Sequence, residues 1–166
     1  MNMTLFQVVL MAAALSCSLV AGFLFAFAVV VMPGLRSLDD GEFIRAFQAI
    51  DRVIQNNQPL FILVWVGSVL AVGTAAVLSV WEPGRIGRAL AISAAALYLV
   101  GVQLPTVTVN VPLNNQLQKL DPGTMSEADR RRARNEFEPR WNRWNRIRTA
   151  CASLVTLLLL LLILRM

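Results

Sequence analysis

Charged residues punctuate this chain and leave four long apolar stretches between them. No charge appears before Arg36. The next uncharged run is Val53–Trp81, a third lies between Arg88 and Lys119, and a fourth is Thr149–Leu164. About 20 apolar residues, at roughly 1.5 Å of helical rise each, cross the hydrocarbon core of a bilayer. The pattern therefore predicts four transmembrane helices, over about 5–32, 59–81, 86–109 and 146–164. The last run is short, but it is nearly all Leu, and Arg148 can snorkel to extend it. The first has no Lys or Arg before it and outruns a signal-peptide core, so it reads as a retained span.

Between the spans the periodicity changes. Pro33-Gly34 predicts a helix stop. Asp39-Asp40 then caps a helix over about 41–55, in which Phe43, Phe47, Ile50 and Ile54 recur at helical spacing and form one apolar face. Such a helix lies at the interface or across the end of the bundle. Asn56-Asn57-Gln58 breaks it, and Pro59 suits the first turn of the next span. In the second half, the stretch NVPLNN (110–115) is expected to turn the third span back over the bundle end. Ser126 with Asp129 caps a second amphipathic helix, about 126–145, and Pro139 is expected to kink it or start a new helix. The two halves thus share a plan, either as a true repeat or by coincidence. Simple counting puts both elaborated segments on one membrane face. The fold class predicted is all-α, a single domain over 1–166: a four-helix transmembrane bundle with two amphipathic interfacial helices on one face.

Composition narrows the chemistry. At 57% apolar residues and a mean hydropathy of +0.61, the chain is too hydrophobic for an ordinary soluble fold. Lys and Arg crowd into 33–58 and 110–148, leaving Arg85, Arg88 and Arg165 elsewhere. By the positive-inside rule the elaborated face is cytoplasmic, in what we expect to be a bacterial inner membrane. The chain has no His, which removes His-ligated haem, imidazole metal sites and Ser-His or Cys-His catalysis. No metal site and no cofactor is expected. Cys17 and Cys151 are lone thiols within spans and read as packing residues. The partners expected are the lipid bilayer and a hydrophobic small molecule, with no nucleic acid. Transport lacks an intramembrane carboxylate relay, although a homo-oligomer could build a path.

Two polar stripes need a reason. Gln103, Thr106 and Asn110 share one face of the third span, and Trp141, Trp144, Asn145 and Arg148 share one face leading into the fourth. A polar group in hydrocarbon must find a partner, because each unmatched group costs several kcal/mol. Helix–helix hydrogen bonding and membrane anchoring explain these stripes as well as the wall of a pocket does. The remaining cluster, Arg130–Arg134 with Arg140, Arg143 and Arg146, is read as a solvated or headgroup-facing surface.

Three motifs are shared with a known group. MPGL (Met32–Leu35), NVPLN (Asn110–Asn114) and Phe137 followed by WNRWNRIRT (Trp141–Thr149) make the whole chain resemble the anthrone-oxygenase-like family of small four-span membrane proteins. Some fungal members oxidise anthrones to anthraquinones without metal or flavin, and many bacterial members have no assigned reaction. What the resemblance implies here is a cofactor-free oxidation of a polycyclic phenol. Trp141 and Trp144 would stack on the rings. Asn110, Asn114 and Asn145 would donate to the ketone oxyanion, beside Gln103 and Thr106, and Arg148 would supply charge. Asp51, Glu136 or a bound water would be the base. The alternative is a non-catalytic protein that binds a lipid, quinone or other hydrophobic ligand, or a subunit of a membrane complex.

Overall fold

A computed structural model describes residues 3–82 and 84–166. Among them there is no strand, and four helices are long and apolar enough to cross a membrane. The first is α1 (Leu5–Ala26), continued through a π-helical turn at Phe27–Val31 into α2 (Met32–Arg36). After it come α3 (Asp40–Gln55) and α4 (Pro59–Leu78). The third long helix is α5 (Arg85–Tyr98), followed by π turns at Leu99–Gln103 and Thr106–Asn110 and then α6 (Val111–Gln118). The last is α7 (Glu127–Ile163).

The prolines do not end these helices as expected. Pro33 and Pro112 lie within continuous helix, and NVPLNN runs straight on as α6 instead of folding back. The reason is local. A proline ring clashes with the carbonyl four residues earlier and has no N–H to give it. Here the residue just before each of Pro33, Pro105 and Pro112 closes a π turn: Met32 N–H donates to the Phe27 carbonyl, Leu104 to Leu99 and Val111 to Thr106. The wider turn moves the crowded carbonyl from under the ring, so the helix passes through. Pro139 also leaves α7 unbroken, without a π turn before it. The second amphipathic segment and the fourth span are therefore one helix, and the halves differ in plan.

The caps hold as expected. Asp39 and Glu42 form a reciprocal capping box on α3, and the Ser126 hydroxyl accepts from Asp129 N–H at the start of α7. Asn57, at φ 59°, turns the chain between α3 and α4, and Gln58 caps α4 by accepting from the Phe61 N–H at 2.6 Å.

Two apolar clusters hold the molecule. One fills the bundle, with Leu10, Cys17, Val20, Val72, Ala94, Val155 and Leu159. The other sits at the elaborated end, where α3 lays Phe43, Ile44 and Phe47 against Phe137 and Trp141 of α7. The outward faces carry Leu60, Leu63, Leu70 and Val107, each about two-thirds exposed, as lipid contact requires. α4, at 20 residues, is about 30 Å long and just spans the hydrocarbon. The other three are 32, 34 and 37 residues, and their excess projects at the end that α3 covers.

Small residues set the helix spacing. A methyl group added at Gly101 would sit 2.7 Å from Cys151 Sγ and 2.9 Å from its Cβ. Gly101→Ala is expected to destabilise the protein by about 1–3 kcal/mol, read as a lower unfolding temperature in detergent. Cys151→Gly should restore it, since it removes both contacting atoms.

Arg134 departs from the solvated surface expected of its cluster. It is largely buried, donates to the Leu38 and Arg36 carbonyls, pairs with Asp40 at 3.1 Å and Glu138 at 2.9 Å, and lies over the Phe43 ring. This ties α7 to the turn before α3. Lysine cannot reproduce a planar fork of five donors, so Arg134→Lys is expected to lower the unfolding temperature nearly as far as Arg134→Ala.

Candidate functional site

A cavity of about 270 Å³ lies where the two apolar clusters meet. One side is an arc of aromatic rings in mutual contact. Trp65 stacks on Phe61, Phe61 meets Phe23, Phe23 meets Phe27, Phe27 meets Trp141 and Trp141 meets Phe47, with centroids 4.9–5.6 Å apart. The other side is polar and comes from three elements: Asp51 of α3, Thr106, Asn110 and Asn114 of the third long helix, and Asn145 and Arg148 of α7.

Asp51 is 4% exposed and has no cationic partner among the described residues. Three amides hold it: Asn114 donates to Oδ1 at 2.7 Å, and Gln55 and Gln118 to Oδ2 at 2.6 and 2.9 Å. A carboxylate only accepts and an indole N–H only donates. The Asn114 amide is therefore fixed, with Nδ2 on Asp51 and Oδ1 on Trp141 Nε1 at 2.8 Å.

Arg148 is the complementary case. Also 4% exposed, it donates to Thr106 Oγ1 at 3.0 Å and Asn145 Oδ1 at 3.1 Å, and its Cζ lies 5.8 Å from the centre of the Trp141 ring. These partners are neutral, and its Nε has no partner among the described residues. Asn145 is itself held by donating to the Leu24 carbonyl at 3.0 Å. Asn110 donates weakly to the Trp141 carbonyl at 3.4 Å, and its buried Oδ1 is also unpartnered. An unsatisfied buried group costs about 1–3 kcal/mol, more when charged. The lining thus holds one acceptor and one cationic donor in reserve.

Not every candidate residue arrives. Asp51, Thr106, Asn110, Asn114, Trp141, Asn145 and Arg148 line the cavity together. Gln103 sits just outside and accepts from Trp65 Nε1 at 3.0 Å, so it serves helix–helix bonding and fixes a wall. Trp144 packs half-buried against the end cluster. Glu136 is excluded from the cavity: its side chain is 68% exposed and pairs with Arg132 on the outside of α7. Five residues before Trp141, it lies roughly 140° around the helix. Sequence reasoning missed Phe23, Phe27, Phe61 and Trp65, which read as ordinary span residues. It also missed Gln55 and Gln118. Gln48, Asp51 and Gln55, and separately Asn114 and Gln118, recur at helical spacing, and those amide stripes were the available signal.

Fold and site together define a four-span helical membrane protein with an aromatic-walled cavity at one end, floored by amides and a lone buried arginine. The family model for anthrone oxygenase matches residues 51–158, and the chain belongs to that family. Neither a curated protein nor a solved structure matches it.

Proposed function

We propose that the cavity binds a flat, hydrophobic polycyclic phenol-ketone of the anthrone type and oxidises it with molecular oxygen, without metal or flavin. The observation that carries this is the buried Arg148 with no carboxylate partner, in one cavity with a carboxylate held only by amides. Such a site is complementary to a ligand that loses a proton at one place and gathers negative charge on oxygen at another.

The substrate supplies the rest. The central CH2 of an anthrone is acidic because its anion spreads into the ketone and phenol rings. The rings lie against Trp141, Phe27 and Phe61. Asp51 takes the proton, and Arg148 stabilises the charge on the ketone oxygen. The anion gives one electron to O2, and the resulting radical and superoxide combine at that carbon as a peroxide. Loss of the second C–H proton forms the new C=O as the O–O bond breaks. The two protons leave with that oxygen as water, so one O2 yields one anthraquinone and one H2O. In this reading the Arg-rich elaborated end faces the cytoplasm from a bacterial inner membrane, a sidedness that the bias of its Lys and Arg supports.

The test is oxygen uptake by detergent-purified protein with 1,8-dihydroxyanthrone. One O2 consumed per anthraquinone formed is expected, well above the buffer rate and unaffected by exhaustive chelation. Binding of the anthrone with no uptake above the buffer rate would make this a binding protein and refute the oxygenase reading.

A further inference from the structure

We infer that the ligand enters the cavity sideways from the bilayer, between the start of α4 and α6, so that the protein acts on membrane-dissolved amphiphiles and not on solutes from water. This rests on the cavity being the ligand site.

The water-facing end is closed. α3 lies across it with Phe43, Ile44 and Phe47 almost wholly buried. It is sewn to α6 and the turn that follows: Gln48 donates to the Leu117 and Leu120 carbonyls at 2.8 and 2.9 Å, and Gln118 returns a bond to the Gln48 carbonyl at 3.0 Å. Arg134 ties α7 to the opposite edge of the same cover.

The side is different. The exposed residues of the lining are Gln55, Val111 and Asn115, with Phe61 half-buried beside them. They come from the end of α3, the start of α4 and α6. α4 packs on α1 and α5, and its hydrogen bonds to the third long helix, from Trp65 to Gln103 and between the Ser68 and Tyr98 hydroxyls at 2.6 Å, lie at the cavity's deep edge and further along α4, none of them at its start. Trp65 lies roughly 9 Å below the start of α4 at 1.5 Å per residue. The surfaces that flank this opening are apolar, with Leu60 68%, Leu63 67% and Val107 66% exposed. The rim is itself amphipathic. Phe61 and Val111 border the acyl side, while Gln55 donates to Asn115 at 3.2 Å on the headgroup side. That side leads to Asp51, to which Gln55 is also bonded. A molecule with a phenolic edge and an apolar body, lying at the interface, already has the orientation the cavity needs.

The test bridges the opening. Leu60→Cys/Val111→Cys, in a Cys17→Ala/Cys151→Ala background, is placed in nanodiscs and joined by a flexible bis-maleimide. The probe is 1,8-dihydroxyanthraquinone, which does not turn over. Its binding is followed by quenching of tryptophan fluorescence. Bridging is expected to slow association and release together by at least tenfold with Kd unchanged, and to trap probe loaded beforehand. The unbridged Val111→Trp variant should slow both rates in the same direction. If bridging and Val111→Trp leave both rates unchanged while Arg148→Met still weakens binding, the site stands and the lateral route is refuted. Binding indifferent to Arg148→Met removes the site and the route with it.

Discussion

Arg148→Met is expected to cripple anthrone oxidation while leaving the protein about as stable as before. The guanidinium is buried among neutral groups, so the wild type bears the cost of desolvating a charge with no opposite charge in contact. Replacing a buried ion by an apolar side chain of similar length is often neutral or stabilising. Methionine keeps the contact with Trp141 and leaves the Thr106 hydroxyl free to go on donating to the Val102 carbonyl at 2.7 Å, while the loss of the donor to Asn145 Oδ1, about 1–3 kcal/mol, offsets the charge desolvation that is relieved. Turnover should fall by about 10²–10³, the usual cost of removing one donor from a developing oxyanion. Steady-state oxygen uptake and a thermal melt on the same preparation check both halves. A structural arginine would give the opposite pattern, a falling melt with activity lost only in proportion to unfolded protein.

Asp51→Asn should cost both activity and stability. As an acceptor-only group, Asp51 takes N–H bonds from Asn114, Gln55 and Gln118. An asparagine amide must point its NH2 at one or more of those donors. The misfit is expected to cost about 1–3 kcal/mol, and loss of the base should lower turnover by about 10²–10⁴. Asp51→Glu should recover part of the activity, because it restores a carboxylate. Full oxidation by Asp51→Asn would show that solvent takes the proton.

The four spans were legible because charge is excluded from hydrocarbon so strictly that the gaps between Arg36, Arg52, Glu82, Arg88, Lys119 and Arg148 outline them. The cap of α3 was legible because Asp39-Asp40 stands just before an amphipathic run, although the reciprocal bond from Glu42 emerged only from the structure. The prolines misled. Pro33 and Pro112 read as exits, and only the backbone reveals that a π turn before each absorbs the clash. The same turns shift the helical phase along the third long helix. Gln103 therefore faces Trp65 while Thr106 and Asn110 face the cavity, although a regular helix would align all three. In α7, which has no such turn, the 3.6-residue period held, and Trp141, Asn145 and Arg148 converge as their spacing implies. The aromatic arc was not legible, because Phe23, Phe27, Phe61 and Trp65 look like any other apolar residues in a span.

Asp51 is expected to remove a proton from the bound ring system while Arg148 holds the resulting anion. Anaerobic mixing of the protein with 1,8-dihydroxyanthrone separates this step from oxygen chemistry, because the delocalised anion has its own visible absorption. The wild type should develop that band in proportion to occupied sites at a pH where the free anthrone stays neutral, and Asp51→Asn and Arg148→Met should not. A wild-type spectrum of neutral anthrone alone, with oxidation still proceeding once air is admitted, would rule out proton removal by Asp51 ahead of oxygen.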